Sequence, residues 1–536
     1  MAAPLPAIDT SGLLTILALA AAVWAVVPGA TKLRFRLSMT PWDWLVIVGL
    51  VGLVHYLVFE TILRSVGLYY SLGPWRWGFD KNSTIYLLLF ALAAYLLIRA
   101  RAPKLARRNL HLFEVLFSTH LTMRRYDELA ELLKGQVKHV LTLVSRPACR
   151  VRLATWLEPK PAFTIDTLLN NEVPKAPGWL GRWCNKARSK LAQHVRGEHE
   201  ADVKATRMVQ LLLNAPHLVN HLAVYHPHLC LQILEHPQTL RSDFCELFIQ
   251  AQLADTRSQL YHELKHNDNQ CGTGHRLHLQ AENELLRFFF RDVTVAEKLQ
   301  IYRPIGEAVC QRIDFDAQLA TPYNGPLGYY PEVGKHQCPI YAGIRLFEIM
   351  IHEAIHQGLR DHLWLHYLPI FTDKILKQMR APLPQDREHE FPSVFHYLVY
   401  SMVSLCTDWV EEAEHVGVRG EPMIKRDQFI SYEAASAAGN LIKHVVEASL
   451  DDRFKAYMLE VVLCRLASMQ HKAGMTALAH ALETAVIQGN AFTARASYRT
   501  ELLRLYLSLD HVLRDRLAHF EARLRQAVSD DTKQHR

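Results

Sequence analysis

Three observations predict an all-α protein in which three N-terminal transmembrane helices precede a large cytoplasmic multi-helix domain. Residues 12–99 hold three apolar runs of membrane-spanning length. Beyond residue 110, apolar residues recur at helical spacing in one segment after another. Strand-like alternation is almost absent, so the core has to form by packing helix on helix.

The first run, 12–30, is uncharged and rich in Leu, Ala and Val. A signal peptide needs a basic region ahead of it. Residues 1–11 contain no Lys or Arg and one acid, Asp9, so the run is read as a retained span. The second run is 44–63 and the third 85–98. A bilayer core takes roughly 20 apolar residues of helix, and lipid offers open backbone no partners, which forces helices. The anchor is therefore residues 1–108, with spans at about 12–30, 44–63 and 84–99. Thr40-Pro41-Trp42-Asp43 reads as an N-cap, Pro at the first helical position and an acid in the first turn. Asn82-Ser83-Thr84 reads as the cap of the third span.

Basic residues set the orientation. Lys32, Arg34 and Arg36 crowd the first loop, and Arg99, Arg101, Lys104, Arg107 and Arg108 the exit of the third span. The middle loop carries only Arg64, Arg76 and Lys81. The positive-inside rule then places the N-terminus outside and the C-terminal domain in the cytoplasm, a topology that suits a bacterial inner membrane. His55 and Glu60 lie in the second run. Intramembrane ionisable groups are functional candidates, and a hydrogen bond from a neutral His55 to a neighbouring helix is the plainer expectation.

The net charge of +7 belongs to the anchor. Residues 1–108 hold eleven Lys/Arg against four Asp/Glu, and the remaining chain holds 49 of each sign. A neutral domain has no excess for neutralising phosphates, which argues against nucleic acid as a partner. The nine cysteines form no CxxC pair and all follow the third span, as expected for reduced thiols in a cytoplasmic domain.

Residues 109–180 read as a helical pair, 111–123 and 126–144, followed by a Pro-rich linker. Leu129, Leu132, Leu133, Val137, Val140 and Leu141 form its apolar face. Residues 181–536 form the cytoplasmic all-helical domain, with helices expected near 201–213, 216–234, 241–266, 281–291, 294–312, 341–379, 392–412, 428–447, 452–471, 474–488 and 491–525. No repeat has a fixed period, and an irregular helical array fits this pattern. The segment 314–342, dense in Gly, Pro and Tyr, is long enough to be a disordered or a binding loop. Tyr323, Tyr329 and Tyr330 are placed to pack over a neighbouring site.

HExxH occurs twice, as His262-Glu263-Leu264-Lys265-His266 and as His352-Glu353-Ala354-Ile355-His356. On a helix, two His four apart can hold one Zn²⁺ while the Glu activates its water, given a third ligand. Chance supplies one copy at roughly 0.1 per chain of this size, so the pattern needs spatial support. The first copy ends a helix before the polar loop 267–274, with Cys271, His275, Glu282 and Glu284 as third-ligand candidates. It reads as a solvated helix terminus with His at the C-terminal dipole.

The second copy lies inside an amphipathic helix. With Ile351 at the centre of the apolar face, His352 and His356 fall about 100–140° away, at its shoulder, and Glu353 points to the opposite side. HEAIHQGLRDH resembles the metzincin metallopeptidases over eleven residues, with His362 where that class has its third ligand. The turn glycine, Gly358, is one position early, and no Met-turn follows. If the helix runs straight through, His362 is a turn or more away from the pair. Glu388, Glu411, Glu412 and Glu414 are then the third-ligand candidates of the other zincin type. Glu263 to His266, Glu353 to His356 and Glu412 to His415 also have the ExxH spacing of di-iron bundles. No GxGxxG, P-loop, GxSxG or kinase pattern is present.

The leading expectation is a non-enzymatic, multi-pass membrane protein whose cytoplasmic domain binds, assembles or senses a protein partner, with no cofactor. The alternative is a membrane-bound zinc metallohydrolase with His352, His356 and His362 on the metal and Glu353 as the base. That alternative needs a break at Gly358 and a converging third ligand. A third reading is an oligomeric channel-like effector, which needs His55 facing a bundle interior.

Overall fold

The computed structural model describes residues 32, 35, 37–70, 81–101, 105, 109–145, 156, 179–196, 200–236, 242–268, 279–315, 322–359, 363–380, 389–416, 430–472, 474–489, 495 and 497–534. The chain is all-helical, with no strand among these residues. It divides into two units, residues 1–218 with 232–239, and residues 219–231 with 240–536.

The first unit contains α1 (Pro41–Val58), α2 (Glu60–Ser65), α3 (Lys81–Arg101), α4 (Leu110–Thr122), α5 (Tyr126–Leu133), α6 (Val137–Ser145), α7 (Trp179–Arg196) and α8 (Glu200–Leu213). Two further helices, α9 (Pro216–Tyr225) and α10 (Pro227–Leu234), carry the chain across the division. The expected start of α1 is present as a full capping box. Thr40 Oγ1 accepts the Asp43 N–H at 3.2 Å, and the Thr40 N–H donates to the Asp43 carboxylate at 2.6 Å. The same carboxylate accepts from Tyr95 and, at 2.9 Å, from Arg99 on α3, which ties the two apolar helices together at one end. The helix α3 begins by Lys81, so Asn82-Ser83-Thr84 lie inside its first turn and not ahead of it.

Among the described residues one helix, α1, is long and apolar enough to cross a membrane. Only Asp43, Val54 and Leu57 of it are buried, whereas a core helix would be covered. The apolar part of α3, Ser83–Arg99, is shorter. The first expected span, 12–30, lies outside the described residues. The second run does not form one helix through residue 63, because it breaks at Phe59 between α1 and α2. His55 Nδ1 lies 2.8 Å from the Val51 carbonyl, one turn back on its own helix and not on a neighbour. The predicted face Leu129, Leu132, Leu133, Val137, Val140 and Leu141 is buried as a set, and Leu133, Val137, Val140 and Leu141 line a narrow apolar cavity with Phe113, Phe117 and Leu212.

The second unit continues with α11 (Ser242–Ala254), α12 (Gln259–His266), α13 (Glu284–Phe290), α14 (Val293–Lys298), α15 (Tyr302–Phe315), α16 (Pro339–Gln357), α17 (Tyr367–Gln378), α18 (Val394–Val416), α19 (Ile430–Glu447), α20 (Asp452–Gln470), α21 (Thr476–Gln488), α22 (Tyr498–Leu507), α23 (His511–Arg516) and α24 (Ala518–Gln534). Within it, α16 packs against α12, α14, α15 and α18. Close approach is possible at Gly343, where a Cβ would lie 2.4 Å from Val309 Cγ2.

The expected helix over 341–379 is two helices. The first stops at Gln357 because Gly358 turns left-handed, with φ 70° and ψ 28°. The Leu359 N–H donates to the Ala354 carbonyl at 2.9 Å and the Gly358 N–H to that of Ile355 at 3.3 Å, a Schellman closure.

Residues 322–338 of the Tyr-rich segment gather at the start of α16, and residues 334–337 lie against α12. Tyr323 and Tyr330 are buried, against Phe395 and Tyr397, and the Tyr323 hydroxyl meets Cys338 Sγ at 3.1 Å, at the start of α16. From there to His352 the helix rises about 21 Å at 1.5 Å per residue. This segment buttresses the helix N-terminus and does not cover the motif, and Tyr329 is exposed.

Candidate metal centre

His352 and His356 occupy the last two turns of α16. Glu412 lies near the end of α18, the helix packed against that flank. One ligand atom from each of the three can be chosen so that all lie within 4.8 Å of one another. His356 Nε2 and Glu412 Oε1 are 3.2 Å apart. The imidazoles sit where the helical wheel puts them, partly covered, beside the fully buried Ile351. Glu412 was one of four glutamates available as third ligand. Packing α16 on α18 selects it, and nothing in its local sequence distinguishes it.

Burial, with the neighbouring His356 and Arg345, lowers the pKa of His352 to about 4. The ring is therefore neutral at pH 7, the form that binds metal. Its Nδ1 is buried and has no hydrogen-bond partner, a condition native interiors seldom leave standing. Glu411, next to Glu412, is committed elsewhere. Burial would raise its carboxyl, but the Lys472 ammonium at 2.6 Å and the Arg465 guanidinium at 2.7 Å outweigh that and hold it below the ordinary value. Two imidazoles and a carboxylate are the donor types found in three-ligand His₂Glu zinc sites.

Glu353, on the side of α16 away from Ile351, is not open to solvent. It is 1% exposed, because the junction between α13 and α14 covers that flank of α16. Its Oε2 accepts from Gln357 Nε2 at 2.7 Å. Successive helical positions differ by about 100°, so its carboxylate flanks the imidazole pair without joining the ligand group. His362 lies outside the described residues, as do Glu388 and the side chains of Glu414 and His415. Among the described residues, the side chain grouped with His352 and His356 is Glu412.

The first copy has a different environment. Glu263 is 5% exposed, and its two oxygens accept the Leu285 and Leu286 N–H groups at 3.0 and 2.9 Å. It caps the start of α13. His266 Nδ1 pairs with Asn283 Oδ1 at 2.8 Å, and His262 is exposed. No metal-ligand group forms around His262 and His266 among the described residues. The expectation of a solvated terminus is corrected at Glu263, which is a buried structural cap.

No protein-family model matches this chain, and no curated protein and no solved structure matches it either.

Proposed function

We propose that this chain is a membrane-tethered zinc hydrolase of the peptidase type. His352, His356 and Glu412 would hold the ion and Glu353 would serve as general base. One observation carries this reading: the HExxH helix stops at Gly358, and Glu412 from a separate helix converges on its two imidazoles. These are the two conditions the zinc alternative required. The ion would polarise a peptide carbonyl and acidify its water. Glu353 would take the water's proton as the oxygen bonds to the carbonyl carbon, then pass that proton to the departing amine.

The tether in this reading is the anchor of three spans, with the N-terminus outside and the second unit in the cytoplasm. The exposure of Trp42, Trp44, Leu45 and Val48 on α1 and of Phe90 and Leu97 on α3 supports lipid contact for those two helices, and the orientation rests on the Lys and Arg distribution alone.

The test uses the full chain in detergent micelles. Near one zinc per chain is expected, lost in Glu412→Ala and in His352→Ala/His356→Ala. Glu353→Gln should keep the zinc and lower hydrolysis of a fluorogenic peptide mixture by about 10²- to 10⁴-fold. Absence of zinc, or full activity in Glu353→Gln, would return the chain to the non-enzymatic binding or assembly reading.

A further inference from the structure

Gln357 is the last residue of α16, one turn beyond Glu353. Its side-chain amide is bound on every side. Nε2 donates to Glu353 Oε2 at 2.7 Å and reaches the carbonyls of Phe290 and Arg291 at 3.1 and 3.4 Å. Oε1 accepts the Val293 N–H at 2.9 Å. The Val293 N–H can only donate and the two carbonyls can only accept, so the partners themselves fix which end of the amide faces Glu353.

These backbone partners form the junction between α13 and α14. The other end of α13 is held by the Glu263 carboxylate through Leu285 and Leu286. A short helix is therefore gripped at its start by the glutamate of the first HExxH and at its end by Gln357 of the second. Rotating the Gln357 amide would cost its bonds to that junction, so the donor it presents to Glu353 is stationary. Glu353 is almost fully buried, and water cannot replace that donor cheaply.

We propose that Gln357 is a positioning residue that fixes the rotamer of the Glu353 carboxylate, with α13 as its frame and Glu263 as the remote anchor. The inference rests on the reading of Glu353 as general base. Partners of this outer kind are worth about 10- to 100-fold in activity.

The experiment compares the full chain in micelles with Gln357→Leu and Gln357→Glu, reading zinc content, kcat and KM on the fluorogenic peptides, and melting temperature. Gln357→Glu keeps the acceptor for the Val293 N–H and loses the donor to Glu353, so it decides the matter if Gln357→Leu fails to fold. Expected are retained zinc, a KM within about twofold and a kcat about 10- to 100-fold lower in both. The residual rate of Glu353→Gln should fall no further when Gln357→Leu is added, whereas a merely structural residue would lower it again. Unchanged kcat in Gln357→Glu, with zinc bound and Glu353→Gln inactive, overturns the positioning role and leaves the hydrolase reading standing. A wild-type chain without zinc, or a fully active Glu353→Gln, overturns both.

Discussion

The chain carries HExxH twice in one unit, and folding puts the two copies to different use. In the first, the glutamate turns inward and caps α13, while one histidine is exposed and the other holds Asn283. In the second, the histidines turn toward α18 and meet Glu412, while the glutamate is held by Gln357. The five-residue pattern is the same. The difference is what packs against each flank of the helix. A carboxylate from a neighbouring helix brings a third potential ligand to the imidazoles, and the unsatisfied amides at a helix start make a cap. The pattern acquires chemistry only from its tertiary partner.

The comparison breaks most visibly on zinc. His352→Ala/His356→Ala should lose bound zinc altogether, while His262→Ala/His266→Ala should keep it, as elemental analysis of the two purified chains would show. Zinc lost from the second pair would mean that the first motif also holds metal.

Stability should reverse the ranking. Glu263→Leu leaves two buried N–H groups unpaired, at about 1–3 kcal/mol each, and should destabilise the second unit by about 2–5 kcal/mol in denaturant melts. Glu353→Gln keeps an acceptor for Gln357 and should lie within about 1 kcal/mol of wild type.

The smallest effect concerns pH. Burial raises the Glu263 carboxyl above its ordinary value, against the pull of the Leu286 and Leu285 N–H groups. The folded protein then binds this proton more tightly than the unfolded chain. The group therefore costs stability above its folded pKa, and the cost is relieved as pH falls through that value toward the unfolded one. Against Glu263→Gln, wild-type stability should improve on mild acidification. A carboxyl titrating below its ordinary value would give the opposite slope.

Much of the fold was legible. Periodicity located most helices of both units, and the face Leu129 to Leu141 is buried as a set. The breaks were less legible. Residues 216–234 split before Pro227, and 341–379 split at Gly358, where one residue takes the left-handed backbone glycine tolerates. Gly358 was visible in the sequence as a departure from the metzincin spacing, and it proves to be the helix stop. The Tyr-rich segment could be read for composition and not for destination, since Tyr323 owes its place to Cys338 and Phe395, 15 and 72 residues away.

Residue types and spacing alone determined the all-helical class, the N-cap at Thr40, the apolar run of α1 and the pair of imidazoles on one helical shoulder. All of these depend on contacts within a few residues, which the chain states directly. Only the tertiary structure decided that Glu412 joins His352 and His356, that Glu263 caps a helix and that Gln357 grips Glu353. Those choices depend on which helix lies beside which, and 56 residues separate His356 from its carboxylate partner. Side-chain hydrogen bonds and ion pairs act over a few ångströms, so at that separation packing determines the partner and sequence proximity does not.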